Sequence, residues 1–321
     1  MNLFDLHCDT AGECFNRKMP LCDGNLHINL CKGEQLDKWV QLFAIWIPDE
    51  LRGKAALEYF ENVLLNFKNE ISENNDKIQL CQRVSDLDNA LNNKKCAAIL
   101  TCEGGSPFAE KDGILIAKEH DVKLITLTWN AENELGYGCQ SGVDSGLKPV
   151  GKELLKQMEK HRIAADVSHL NRAGFYDAIS SGVMVIASHS NSEAVLLKTR
   201  KDSEDKFFSC RRSLNDEQIK LLIECGGLIG INFCKSFLGD EGDDGFEAVY
   251  RHMAHILDLG GENALAIGSD SDGCEINPEL AGIDNIPALR GFLARKGINN
   301  LILDKIFFEN SNNFFKNILQ S

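Results

Sequence analysis

Two stretches, Ile163-Ala-Ala-Asp-Val-Ser-His169 and Val183-Met-Val-Ile-Ala-Ser-His189, hold the key to this fold. Each is a short apolar run that stops at Ser-His. A near-continuous run of this length suits a parallel strand buried on both faces. Working outward, similar runs occur at Leu3–Leu6, Val40–Trp46, Ala97–Cys102, Val122–Thr128, Leu228–Asn232 and Leu265–Ser269. With Ile163–Val167 and Val183–Ser188 they make eight. Helical segments separate them. Phe246, Val249, Tyr250, Met253 and Ile256 share one helix face, Ser213-Leu-Asn-Asp216 reads as a capping box, and Gly226-Gly227 as a helix stop. The alternation predicts an α/β fold, a (β/α)8 TIM-type barrel. An open doubly wound sheet is the alternative, but no Gly-rich phosphate loop follows any run. Ile283–Ser321 reads as extra C-terminal helices closing the domain. No Pro- or Ser-rich linker divides residues 1–321, which read as a single domain. Three long polar connections, Asn130–Val150, Ser190–Arg212 and Cys234–Gly245, are expected at the C-terminal face of the barrel, where substrate loops belong.

Composition narrows the function. The formal charge of −14 disfavours nucleic acid and anionic lipid as partners. The opening MNLFDLHCDT has no basic, then apolar, export signal, and no stretch has the length of a membrane span. Twelve cysteines without a CxxC pair read as reduced thiols, mostly small buried hydrophobes, and imply a cytoplasmic protein. Cys8 and Cys102, beside the candidate site, are expected to pack rather than react.

Candidate ligands gather at strand ends. In His7-Cys8-Asp9, alternation along a strand puts His7 and Asp9 on one side. Glu103 closes the third run and precedes Gly104-Gly105, an unsuitable place for a solvated charge. His169 and His189 end two successive runs, and Asp270 ends the last. Asp272, two residues on, is assigned an Asx-turn. Three histidines and three acids thus sit at five strand ends, while His27, His120, His161, His252 and His255 lie in loops or helices. Imidazoles and carboxylates are the donors zinc and similar ions take, and the top face of a barrel is where an active site forms.

The strings DLHCDT, EGG, LTWNAENELGYG, DVSHL, SHSN and IGSDSDG together resemble the membrane (renal) dipeptidase family, metal-dependent amidohydrolases. The motifs run in the family's order from residue 3 to about residue 275. The resemblance implies a binuclear zinc centre and hydrolysis of dipeptides, including those with a D-residue at the C-terminal position. It makes His7 and Asp9 ligands of one ion, Glu103 the bridge, His169 and His189 ligands of the other, and Asp270 the proton carrier. Arg212 matches the arginine that grips the substrate carboxylate, although on residues alone Arg211 serves equally. Trp129 and Asn130 fall on the substrate side. Trp129 stands where mammalian members have a histidine, so it either leaves oxyanion stabilisation to the metals or forms a pocket wall. Mammalian members are secreted and lipid-anchored. The lack of either signal here resembles the soluble bacterial relatives, often dimers, so a homodimer is the expected assembly.

The expected chemistry is attack on the peptide carbonyl by a hydroxide bridging two divalent ions, with Asp270 as base and then acid. Hydrolysis of another amide, a lactone or a phosphoester on the same barrel is the alternative, and a non-catalytic metal-binding protein the remaining one.

Overall fold

The computed structural model describes residues 1–22, 24–199, 204–239 and 244–320. Nine parallel strands make one sheet: β1 Asn2–Cys8, β2 Lys38–Trp46, β3 Ile78–Leu80, β4 Cys96–Glu103, β5 Leu124–Thr126, β6 Ala164–Asp166, β7 Val185–Ala187, β8 Leu228–Ile231 and β9 Leu265–Ile267. Their order is β2-β1-β9-β8-β7-β6-β5-β4-β3, and a further pairing of β2 with β4 closes the barrel. Each of the eight apolar runs supplies one barrel strand. The ninth, β3, was not expected. It pairs beside the first half of β4, Ile78 opposite Cys96, while β5 takes the second half of the same edge. With three residues, only the first of them fully buried, it carries too little apolar signal to stand out.

The sheet has two packed faces. Outside it, the surrounding helices bury residues such as Val63, Phe67, Leu222 and Val249 against the strands. Inside, Phe4, Leu6, Val40, Leu42, Ile99 and Ile186 fill the barrel, and Phe315, Ile318 and Leu319 of the C-terminal segment belong to the same cluster. Helices Ile286–Arg295, Asn300–Asp304 and Asn310–Ile318 follow β9 as expected. The last is anchored where Asn310 Nδ2 donates to the Leu265 carbonyl at the start of β9, 2.9 Å away. The segment thus stoppers the N-terminal end, and chemistry is left to the other.

Two local expectations need correction. The capping box before helix Asp216–Glu224 uses Asn215, not Ser213: Asn215 Oδ1 accepts from Gln218 N–H (2.9 Å) while Gln218 Oε1 accepts from Asn215 N–H (3.1 Å). An amide at the third helical position completes the reciprocal pair that Ser213 and Asp216, too early by two residues, cannot. Gly226 does end that helix, in the left-handed region at φ +71°. The connection Ser190–Arg212 is not simply loop, for it holds helices Glu193–Thr199 and Glu204–Arg212. Residues 200–203 of that connection and 240–243 of Cys234–Gly245 lie outside the described residues.

Candidate metal centre and active site

All six expected centre residues meet at the C-terminal mouth. His7 lies in β1, and Asp9, just past it, is the residue before helix Thr10–Arg17. A register irregularity between Asp5 and Cys8 and this helix start, rather than plain strand alternation, bring the pair together. His7 Nε2 is 3.4 Å from Asp9 Oδ2 and 3.5 Å from Glu103 Oε2. Glu103, the last residue of β4, presents its other oxygen to the second pair: Oε1 is 2.9 Å from His169 Nε2 and 3.4 Å from His189 Nε2. One carboxylate therefore faces two ligand sets. Asp270 Oδ1 stands 4.0 Å from His7 Nε2, and Asp270 Oδ2 accepts from Asn232 Nδ2 at 2.9 Å. His169 and Asp270 both sit in the left-handed backbone region, at φ +65° and +59°, a strain concentrated at functional sites.

Hydrogen bonds beneath the ligands set their protonation. His169 Nδ1 donates to Asn130 Oδ1 at 2.8 Å, so its Nε2 carries a bare lone pair. Ser188 Oγ donates to Asp166 Oδ2 (2.6 Å) and so accepts from His189 Nδ1 (2.7 Å), leaving His189 Nε2 bare as well. These two lone pairs face each other at 2.9 Å with Glu103 Oε1 against them. Two bare imidazole nitrogens thus converge on one carboxylate oxygen. Burial, reinforced by Arg212 and His7, holds both imidazoles well below their usual range, so they stay neutral, the form that ligates. Burial also opposes charge on His7, but Glu103 and Asp9 outweigh it and push that imidazole well above its usual range. Glu103 is raised to about 7, chiefly by burial, with His7 opposing and Asp9 adding to the shift. Burial raises Asp270 likewise. His7 Nε2 and Asp9 Oδ1 are buried without hydrogen-bond partners among the described residues. Orphaned donors of these types, closed around an acidic bridge, fit divalent cations.

Four residues near the centre escaped the sequence reading. Asp166, at the end of β6, accepts from Ser168 N–H, Ser188 N–H, Ser188 Oγ and Thr126 Oγ. Asp5 on β1 accepts from Ser269 N–H and Oγ and from Gln41 Nε2. An acidic residue inside an apolar run was the available signal for both. Asn232 steadies Asp270, and Trp46 packs edge-to-face on Trp129 with ring centroids 5.0 Å apart. Asp272 makes no Asx-turn. Its carboxylate instead takes His27 N–H (2.7 Å), Ile28 N–H (3.2 Å) and Thr10 Oγ (2.6 Å), clamping the first connection over the centre. Those partners are some 245 residues away in sequence, beyond any local pattern. Cys8 and Cys102 are fully buried, as expected of packing residues.

The cavity above the centre has a volume of about 770 Å³, suited to a small substrate. Trp46, Trp129, Phe208 and Phe237 form its apolar side, and Glu103, His169 and Asp270 its floor. Trp129 is thus a wall of the pocket. Asn130 also lines it, though its oxygen is given to His169. Arg212, not Arg211, is buried beside the centre: Nη1 donates to Ser190 Oγ and Nη2 to the His189 carbonyl, both at 2.9 Å. Its guanidinium lies over Phe237, and its buried Nε–H has no partner among the described residues. Arg211 instead lines a separate cavity with Cys139, Asn171 and Phe207.

An α/β barrel whose strand ends gather imidazoles and carboxylates around a small-molecule cavity has the architecture of a metal-dependent hydrolase. Residues 1–320 match the family model described as membrane dipeptidase, peptidase family M19, and the chain belongs to that family. It is a dipeptidase by class and metal-dependent. A Klebsiella pneumoniae protein, described as an uncharacterized protein in the pqqA 5' region, is 28% identical over 262 residues, 78% of this chain and 92% of its own. Among solved structures, an M19 metallopeptidase named dipeptidase AC superposes with a TM-score of 0.89 at 23% identity, covering 100% of this chain and 99% of that one. A Rhodobacter sphaeroides metallopeptidase, liganded with a phosphinate mimic of L-Ala-D-Ala, gives 0.86 at 22% identity over 98% and 99%. Both likenesses concern the fold.

Proposed function

We propose that this chain hydrolyses dipeptides, those with a C-terminal D-residue included, using two divalent ions, zinc in the first place. His7 and Asp9 would hold one ion, His169 and His189 the other, and Glu103 both. The observation that carries this is the two-sided Glu103, with proton-free His169 and His189 on one oxygen and the orphaned His7 Nε2 on the other. Bound there, the ions would supply a lowered pKa for water and polarisation of a carbonyl.

The chain's own residues do the rest. Asp270 keeps one oxygen on Asn232 and turns the other to the cavity, where it takes the proton of the attacking water and returns it to the leaving amine. The substrate's C-terminal carboxylate is assigned to Arg212, whose buried Nε–H is unmatched among the described residues and whose guanidinium lies over Phe237, a residue of the cavity wall. That contact selects very short peptides. Trp46 and Trp129 exclude water from one side. The Rhodobacter sphaeroides structure, holding a mimic of L-Ala-D-Ala, supports the L,D choice. The twelve cysteines, all free thiols, support a cytoplasmic setting.

Metal content per chain, measured with hydrolysis of L,L- and L,D-dipeptides before and after chelation, tests the proposal. Two equivalents of metal and chelator-sensitive cleavage are expected. Two equivalents without cleavage would move the substrate elsewhere, and no bound metal would end the reading.

A further inference from the structure

A second cluster stands beside the first. Cys234 precedes the short helix Lys235–Leu238, and Cys274 follows the turn that carries Asp270. An antiparallel bridge between Cys234 and Ile276, with Lys235 N–H donating to the Glu275 carbonyl at 2.9 Å, holds the two segments together. The two sulfurs and a carboxylate oxygen of Asp270 all lie within 4.8 Å of one another. Both cysteines line the active-site cavity, Cys234 buried and Cys274 half-buried.

We infer that Cys234, Cys274 and Asp270 form a separate site for a soft, thiophilic divalent ion such as cadmium, and that filling it inhibits the enzyme. Two thiolates and a carboxylate make three of four tetrahedral ligands. Zn–S bonds of about 2.3 Å put two sulfurs roughly 4 Å apart, so the cluster needs only small rotamer shifts to close. A water completes the set, and two thiol protons pass to solvent for each ion bound. The ligands of the main centre include no sulfur, so a soft ion is drawn to the dithiol while imidazole and carboxylate keep the resident metals. The cost falls on Asp270, whose cavity-facing oxygen the third ion would take. This part rests on the reading of Asp270 as the proton carrier.

The experiment adds cadmium to enzyme already loaded with zinc, under a phosphine reductant, following ultraviolet sulfur-to-cadmium absorption and turnover together. One further equivalent should give a charge-transfer band and about a 100-fold loss of turnover, the scale of a lost acid–base group. Cys234→Ser and Cys274→Ser should each lose the band and escape that inhibition. Cys22→Ser, which removes a thiol hydrogen-bonded to Cys31 away from the cavity, should keep both the band and the inhibition. A band unchanged in Cys234→Ser and Cys274→Ser overturns the site, and a band with full turnover overturns the sharing of Asp270. Should Cys234→Ser misfold, the half-buried Cys274 alone decides the matter. If the chain cleaves no dipeptide, the proposed function fails, while the sulfur band still reports on this site.

Discussion

Asp270 is the residue on which the proposed chemistry turns: it stands with His7 and Asp9 at the first-ion side, yet farther from His7 than the ligands assigned there. Asn232 takes one oxygen, while the other lies 4.0 Å from His7 Nε2, farther than Asp9 or Glu103. Asp270→Asn keeps the shape and removes the base. It should lose at least about 100-fold in kcat while metal content stays at the wild-type value. Near-normal turnover in that variant would sink the assignment. A second residue tests the first-ion ligands without replacing one. Gly273 lies so close that an added Cβ would sit 2.0 Å from Asp9 Oδ2 and 2.7 Å from Asp270 Oδ1. Gly273→Ala must therefore push Asp9 aside. Metal analysis after dialysis should find about half the wild-type equivalents, the loss falling on the His7–Asp9 side; full occupancy would mean Asp9 is not needed as a ligand.

Among the elements, strands β5, β6 and β7 end together because Asp166 collects donors from all three: Thr126 on β5, and Ser168 and Ser188 just past β6 and β7. Asp166→Asn would turn an amide NH2 towards donors and break the relay that fixes the His189 tautomer. Stability should fall by about 1–3 kcal/mol, the cost of an unmatched buried group. Metal affinity should fall about 10–100-fold, as when such supporting partners are lost. Chemical denaturation and competition with a chelator measure the two effects, and an unchanged affinity would show that the relay does not matter. This relay also marks where sequence stops being informative. The eight barrel strands and six centre residues were legible because each is a local event, an apolar run and the polar residue that ends it. Asp166 and Asp5 were not, since nothing local says whether an acid inside an apolar run is paired. Nor was the Asp272 clamp, which joins residues at opposite ends of the chain. The strand β3 was missed because three residues pairing at an edge bury little apolar surface.

For the whole molecule, stability should couple to metal and to acid. Ions that bind only the folded chain stabilise it by about 2.7 kcal/mol per site at a hundred times Kd, so chelation should lower the Tm by several degrees. Metals held as proposed would also remove His7, His169, His189 and Glu103 from titration, and His252 would remain the buried histidine that titrates in the mildly acidic range. His252, inside helix Gly245–Asp258, is fully buried. Its Nδ1 accepts from Ser192 N–H at 3.1 Å and its Nε2 donates to the Leu238 carbonyl at 3.0 Å. Both ring nitrogens are spent on the neutral form, and a second proton would set Nδ1–H against Ser192 N–H. Burial is the main cause that lowers this imidazole to about 4, with Arg251 and His255 adding to it and the Leu238 bond opposing. Between that value and the unfolded value of about 6.5, the unfolded chain binds a proton that the folded chain refuses, so stability rises with pH across this window. The stabilisation is complete above pH about 6.5, falls by about 2 kcal/mol at pH 5 and by about 3 kcal/mol below pH 4. His252→Gln can keep one accepting and one donating contact but cannot titrate. Its metal-loaded form should show a flatter decline in unfolding free energy from pH 7 to pH 5 than wild type, by about 2 kcal/mol. Acid-driven metal loss weighs equally on both proteins and cancels in the comparison. Parallel declines would mean that His252 takes up its proton in the folded state as readily as in the unfolded one, and that its two hydrogen bonds do not hold it neutral.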